Sequence, residues 1–144
     1  MRINDVLRVK GAEVVTVTPD TTVRQLLQVL AEHKIGAVVV SVDGTSVDGI
    51  VSERDVVRAF AQRGAAVMSE PVTEIYTAEV RTVTPETTLD DVMRLMTEHR
   101  MRHAPVVVDG ALGGLVSIGD VVKNRMDELE TERTALSDYI STAR

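Results

Sequence analysis

The chain repeats itself, and the repeat limits the folds open to it more than any other feature. Val17-Thr18-Pro19-Asp20-Thr21-Thr22-Val23 returns 66 residues later as Val83-Thr84-Pro85-Glu86-Thr87-Thr88-Leu89. The same offset carries Glu32-His33-Lys34-Ile35 onto Glu98-His99-Arg100-Met101 and Asp43-Gly44 onto Asp109-Gly110. One extra residue in the first copy shortens the offset to 65, and Gly49-Ile50-Val51-Ser52-Glu53-Arg54-Asp55 returns as Gly114-Leu115-Val116-Ser117-Ile118-Gly119-Asp120. The chain is therefore a supersecondary unit copied in tandem. Its 144 residues have room for one average domain, so the two half-sized units are expected to share a core.

Each copy carries the same order of local signals. Val15-Thr16-Val17 and Arg81-Thr82-Val83 alternate as short strands, and the Thr-Pro-Asp/Glu-Thr-Thr that follows breaks the strand and offers a helix cap. A helix is predicted from about Thr22 to Lys34, with Val23, Leu26, Leu27 and Leu30 on one face. Its twin places Leu89, Val92, Met93 and Met96 there. Ala37-Val38-Val39-Val40 and Ala104-Pro105-Val106-Val107-Val108 read as strands, the two Asp-Gly pairs as turns, and Gly49-Ile50-Val51 and Gly114-Leu115-Val116 as returning hairpin partners. A second helix closes the unit, giving strand, helix, strand, strand, helix. The expected division is residues 1–65, 66–125 and a helical extension at 126–144, with a short lead-in helix near residues 2–9. In the extension Val122, Met126, Leu129, Arg133, Leu136 and Ile140 recur at spacings of four and three, a heptad seam. That seam fits either packing on the body of the domain or pairing with a second chain.

Composition removes several functions. Hydrophobic residues at 44% and charged residues at 26% describe a folding globular chain. Only Phe60, Tyr76 and Tyr139 are aromatic, so stacking platforms for bases are nearly absent, and a net charge of −6 opposes a broad phosphate-binding face. Nucleic acid is not an expected partner. Without cysteine there is no disulfide or thiolate chemistry, which fits the cytoplasm. The first residues lack the apolar core of a signal peptide, and no run approaches the roughly 20 apolar residues of a membrane helix. The three histidines lack metal-binding spacing, and no Gly-x-Ser-x-Gly elbow or Walker loop is present. No metal site and no catalytic residue is assigned.

The repeated Ser-x-x-Asp before an apolar helix has two readings. As a capping box, serine and acid satisfy the first free N–H groups of the helix. As a binding site, the same hydroxyl, carboxylate and free N–H groups face a ligand. The two are compatible.

Taken in order, the two Val-Thr-Pro-Asp/Glu-Thr-Thr segments, Met101-Arg102-His103-Ala104-Pro105-Val106-Val107-Val108-Asp109 and both Gly-h-Val-Ser-x-x-Asp segments resemble the CBS (cystathionine β-synthase-type) domains. The likeness covers about residues 1 to 125. It implies an α/β (α+β) tandem pair of β-α-β-β-α repeats packed about a pseudo-twofold axis, with clefts between them that take adenosine-containing ligands: AMP, ADP, ATP, NAD or S-adenosylmethionine. It also implies a non-catalytic sensing role, often as a homodimer. Under this resemblance Ser52, Asp55, Ser117 and Asp120 are the ribose-binding candidates, because a carboxylate accepts strong charge-assisted bonds from neighbouring hydroxyls. Arg102 and His103 stand where related proteins contact phosphate, and arginine suits phosphate through its planar donors. The first copy has Gly36-Ala37 there, with Arg54 as the candidate substitute, so the clefts are expected to differ. Ile35, Ile50, Met101 and Leu115 are candidate adenine walls. The alternatives are a dimeric interaction scaffold with vestigial clefts and a nucleotide-processing enzyme, for which His103 would have to approach Ser117. The regulated partner is not legible.

Overall fold

The computed structural model describes residues 1–143. In order the chain forms α1 (Ile3–Lys10), β1 (Thr16–Val17), α2 (Val23–His33), β2 (Ala37–Val40), β3 (Gly49–Ser52), α3 (Glu53–Arg63), α4 (Leu89–Glu98), β4 (His103–Val108), β5 (Ala111–Ser117) and α5 (Ile118–Thr142). Two 3-10 turns, Gly64–Ser69 and Val72–Glu74, join the copies. The first copy runs strand, helix, strand, strand, helix as the periodicity predicts, and the second does so without its first strand.

The helices begin where the caps require. Thr22 Oγ1 accepts the Gln25 N–H at 3.2 Å while Gln25 Oε1 accepts the Thr22 N–H at 3.0 Å, so two donors that the first turn leaves open are satisfied reciprocally. At α4 Thr88 Oγ1 accepts the Asp91 N–H at 3.2 Å. Of the predicted apolar faces, Val23, Leu26 and Leu30 are buried in the first core and Leu89, Val92 and Met96 in the second, with Leu27 and Met93 half-buried beside them. Both cores are aliphatic. Burying a side chain of this size contributes about 1.5–3 kcal/mol, so six such positions anchor the two helices.

The sheets are nearly, but not fully, copies. In the first, β1 pairs parallel to β2 and β2 antiparallel to β3. In the second, β4 and β5 pair antiparallel, and the strand expected at Arg81-Thr82-Val83 shrinks to a single bridge between Val83 and Val106. The counterpart of Val39 is Pro105, which has no N–H to extend that ladder. The hairpins also differ. Asp109 (φ 52°) and Gly110 (φ 79°) form the two-residue turn that the Asp-Gly signal predicts. Their counterparts lie inside a longer connection, residues 41–48, where Asp43 Oδ1 accepts the Thr45 and Ser46 N–H groups at 2.9 and 2.8 Å. Those bonds hold the Asp43 carboxyl well below the ordinary carboxylate range. Leu112 N donates to Thr45 O at 2.7 Å, tying this connection to the other sheet.

The lead-ins interlock the copies. Ile3 and Val6 of α1 are fully buried in the second core, and Ile3 N donates to Thr87 O at 2.9 Å. Val67 and Val72, which precede the second copy, are buried in the first core, and Val72 N donates to Thr21 O at 2.8 Å. Each lead-in thus sits on the copy other than the one it introduces. The motif glycines make room for this crossing. A Cβ on Gly49 would overlap the Tyr76 ring and stand 2.8 Å from Thr77 O, and one on Gly114 would meet Leu7 Cδ2 at 2.8 Å.

At 25 residues α5 is about 37 Å long at 1.5 Å per residue. Val121 and Asn124 are buried, whereas Val122, Met126, Leu129, Leu136 and Ile140 are 40–63% exposed. The seam is therefore not covered by the body of this chain. Arg144, the last residue of the expected extension, lies outside the described residues.

Candidate functional site

Both Ser-x-x-Asp segments form the capping box. Ser52 Oγ accepts the Asp55 N–H at 3.4 Å, and Asp55 Oδ2 accepts from Ser52 N at 2.8 Å and from the Ser52 hydroxyl at 3.0 Å. Ser117 Oγ accepts from Asp120 N at 3.1 Å, and Asp120 Oδ2 from Ser117 N at 2.9 Å. Strand-to-helix junctions of this kind aim the first helical turn at whatever lies beyond the strand end. Alternation along β3 buries Val51 and leaves Ile50 and Ser52 on the other face; β5 repeats this with Val116, Leu115 and Ser117.

A cleft of about 830 Å³ opens on that face. The first copy contributes Gly36, Ile50, Ser52, Glu53, Arg54, Asp55 and Arg58; the segment between copies contributes Thr77, Glu79, Val80 and Arg81; the second contributes His99 to His103 and Ser117 to Gly119. Matching hydrogen bonds frame it, Glu53 N to Gly36 O at 3.0 Å and Ile118 N to Arg102 O at 2.8 Å. Its size is that of a small-molecule site.

Of the sequence-selected residues, the fold brings together Ser52, Arg54, Asp55, Ile50, Met101, Arg102, His103 and Ser117. It separates the other three. Ile35 lines a second cavity of about 520 Å³ with Leu27, Leu30 and Lys34. Leu115 lines neither cavity; its carbonyl accepts from Lys10 Nζ at 2.8 Å. Asp120 is also absent from the large cleft, and the last turn of α1 brings Lys10 Nζ to its Oδ2 at 2.5 Å. Burial pushes the Asp120 carboxyl up, but the bonds from Lys10 and Ser117 outweigh it and leave the group below its ordinary value.

His103 sits at the start of β4, directly across from Ser117. Burial, then the charges of Lys10 and Arg102, push its imidazole below the ordinary value against the opposing pull of Asp120 and Glu53. The neutral imidazole is therefore favoured beyond its ordinary share. Among the described residues no hydrogen bond joins His103 to Ser117, whose hydroxyl accepts the Asp120 N–H as a cap. No group of three His, Cys, Asp or Glu is gathered for a metal among them either.

Three arginines of this cleft were not singled out from the sequence. Arg58 lies one turn after Arg54 on α3, a spacing that puts both on one face. Arg100 stands two residues before Arg102, at a left-handed helix end (φ 51°) matched by Lys34 (φ 54°) in the first copy. Arg81 opens the segment expected as the second copy's first strand. The pairing of Ile50 with Thr77, at 3.0 and 2.9 Å, and the bond from Val83 N to Pro105 O at 3.0 Å hold that segment on either side of it.

With this geometry in view, the CBS domain pattern matches residues 5–62 and again residues 67–127. The chain belongs to the CBS domain family. It is a tandem CBS pair, and it is 38% identical over 146 residues to the mitochondrial CBS domain-containing protein CBSX3 of Arabidopsis thaliana, spanning 96% of this chain and 71% of that one. A CBS-domain-containing protein of Agrobacterium tumefaciens superposes with a TM-score of 0.84 at 45% identity, covering 87% of this chain and 99% of the other. The CBS pair of protein MJ0100, solved in complex with 5′-methylthioadenosine and S-adenosyl-L-methionine, superposes with a TM-score of 0.76 at 22% identity over 85% of this chain and 98% of its own. A CBS pair of this kind is a regulatory module. No helix among the described residues is long and apolar enough to cross a membrane.

Proposed function

We propose that this CBS pair binds an adenosine-containing ligand in the cleft between its copies and passes the ligand's level on without chemistry. The observation that supports this best is the junction of Ser52 and Asp55 from one copy with Met101, Arg102 and His103 from the other around one cavity. Asp55 uses Oδ2 for the cap, and its Oδ1 accepts no hydrogen bond among the described residues. That oxygen is available to the ribose hydroxyls, with Ser52 beside it. In this reading Arg54, Arg102 and His103 contact phosphate, and Ile50 and Met101 the adenine faces. Ser117 lies in the same cleft, while Leu115 and Asp120 lie outside it and are bonded by Lys10. Regulation follows only if the ligand prefers one arrangement of the two copies over another. The cysteine-free composition favours the cytoplasm.

Thermal unfolding with AMP, ADP, ATP, NAD and S-adenosylmethionine tests this reading. A ligand at 100 times its dissociation constant adds about 2.7 kcal/mol. Unchanged melting with all five overturns it, and turnover of a bound nucleotide would replace the sensor by an enzyme.

One observation favours a further reading, in which a second copy of the chain is the partner. The α5 stripe keeps coiled-coil spacing while exposed to solvent, and a helix end that leaves the body is marginal without a companion. Sedimentation of the full chain should give a dimer, and truncation after Arg125 should weaken it. A dimer unchanged by the cut would place the contact on the CBS bodies instead.

A further inference from the structure

The arginines of the cleft are distributed in a way the rest of the chain is not. The protein carries a net charge of −6, yet Arg54, Arg58, Arg81, Arg100 and Arg102 converge on one cavity. Three carboxylates share the lining, Glu53, Asp55 and Glu79, so these arginines and carboxylates together give the cleft a formal charge of about +2. Outside the cleft, Arg8, Lys10, Arg63 and Arg125 lie within 4 Å of a carboxylate, and six other described basic residues do not, so it is the convergence of the five that sets the cleft apart. None of the five cleft arginines forms an ion pair among the described residues. They also come from three places, α3, the segment between copies, and the approach to β4, so no single amphipathic face accounts for their convergence.

A cluster of unpaired guanidinium groups is suited to an anion with many oxygens, since each guanidinium donates in a plane to two of them. A single phosphate has three terminal oxygens, too few to accept paired donors from all five guanidinium groups. A sulfonium ligand carries positive charge and is repelled. We propose that the cleft selects an adenine nucleoside carrying several contiguous phosphates, and that Arg58, Arg81 and Arg100 are phosphate-binding residues in addition to Arg54 and Arg102. The polyphosphate then spans the two copies, with arginines of both on one ligand. This rests on the nucleoside reading of the same cleft and adds the class of ligand to it.

Calorimetry of the full chain with adenosine, AMP, ATP, S-adenosylmethionine and inorganic tripolyphosphate tests it. ATP should bind at least tenfold more tightly than AMP, and S-adenosylmethionine more weakly than either. Arg81→Gln combined with Arg100→Gln should lower ATP affinity tenfold or more, leave adenosine affinity within about twofold, and flatten the salt dependence of ATP binding, as expected when charge contacts are removed. Circular dichroism of the variant confirms that it folds. Equal affinity for AMP and ATP, or preferred binding of S-adenosylmethionine, overturns the polyphosphate assignment while the nucleoside reading stands. Tripolyphosphate binding as tightly as ATP, with adenosine not bound, supports the anion site and removes the nucleoside. Absence of binding by all five probes overturns both.

Discussion

The two Ser-x-x-Asp junctions are alike within themselves and unlike in what reaches them. At each, serine and aspartate close the same capping box, with bonds that differ by at most about 0.3 Å. Beyond that box, Asp55 faces the large cleft, whereas Asp120 meets Lys10 across 110 positions of sequence. The bridges Arg2–Thr88 and Pro71–Thr22 align the two lead-ins, so Leu7 on Gly114 answers Tyr76 on Gly49 and the counterpart of Lys10 is Glu79, which brings no cation to Asp55. Duplication therefore copies the junction, while the lead-ins, which do not match, decide whether its carboxylate is free. In the sequence Arg102 and His103 belong to the second copy, beside the Ser117 junction. The fold carries those two side chains to the cleft that holds Asp55.

The largest effect should come from treating the two aspartates identically. Asp55→Ala removes charge-assisted bonds worth about 1.5–3 kcal/mol and should weaken nucleotide binding roughly 100-fold. Asp120→Ala should leave the affinity of that cleft within about threefold. Both substitutions delete the same capping carboxylate, so their difference isolates the ligand from helix stability. Calorimetry on the pair measures it directly, and equal losses would erase the distinction between the junctions.

A smaller effect separates them by stability. Lys10→Met frees Asp120 from its ion pair, but Lys10 is 38% exposed and solvent screens the interaction, so the cost should be about 0.5 kcal/mol. That is roughly 1–2 °C in melting temperature for a chain of this size. The pH dependence has a defined sign. The folded Asp120 carboxyl lies below its ordinary value, so its contribution is complete above the unfolded value and is lost as pH falls through the folded one. In Lys10→Met this acid-side loss should shrink. A urea-midpoint series from pH 7 to 3 that stays parallel for the two proteins would show the pair to be energetically idle.

These contrasts also mark what could be read without coordinates. Thr22 with Gln25, and Asp109 with Gly110, act over three residues or fewer, so the start of α2 and the second hairpin were predicted to within a residue. The core faces of α2 and α4 follow from spacing alone. The repeats show that the junction is copied, and the motif order marks the family. The lead-ins were not legible beyond a short helix, because Ile3 and Val6, or Val67 and Val72, give too few apolar positions to say which copy they cover. Lys10 on Asp120 and Arg81 in the cleft depend on that crossing and are invisible without it. The lost strand at Arg81-Thr82-Val83 was readable in principle, since Pro105 stands in the facing strand without an N–H to give.

The smallest effect tests the copies at His103, whose counterpart is Ala37. Burial first, and then Lys10 and Arg102, hold the folded imidazole below its ordinary value of 6.5. The unfolded chain therefore binds the proton more readily between the folded value and about 6.5, and stability falls as pH falls through that window. His103→Ala, which gives the second copy the residue of the first, should remove part of the loss between pH 7.5 and 5.5 in urea titrations. A phosphate chain bound against Arg102 and His103 reverses the local field and favours the imidazolium, so binding should take up a proton and ATP should bind more tightly at pH 6 than at pH 7.5. Calorimetry in two buffers of different ionisation heat counts that proton. Proton uptake that persists in His103→Ala would move the titrating group elsewhere, and uptake that vanishes would place the phosphates beside the second copy's strand while the ribose rests on the first copy's aspartate.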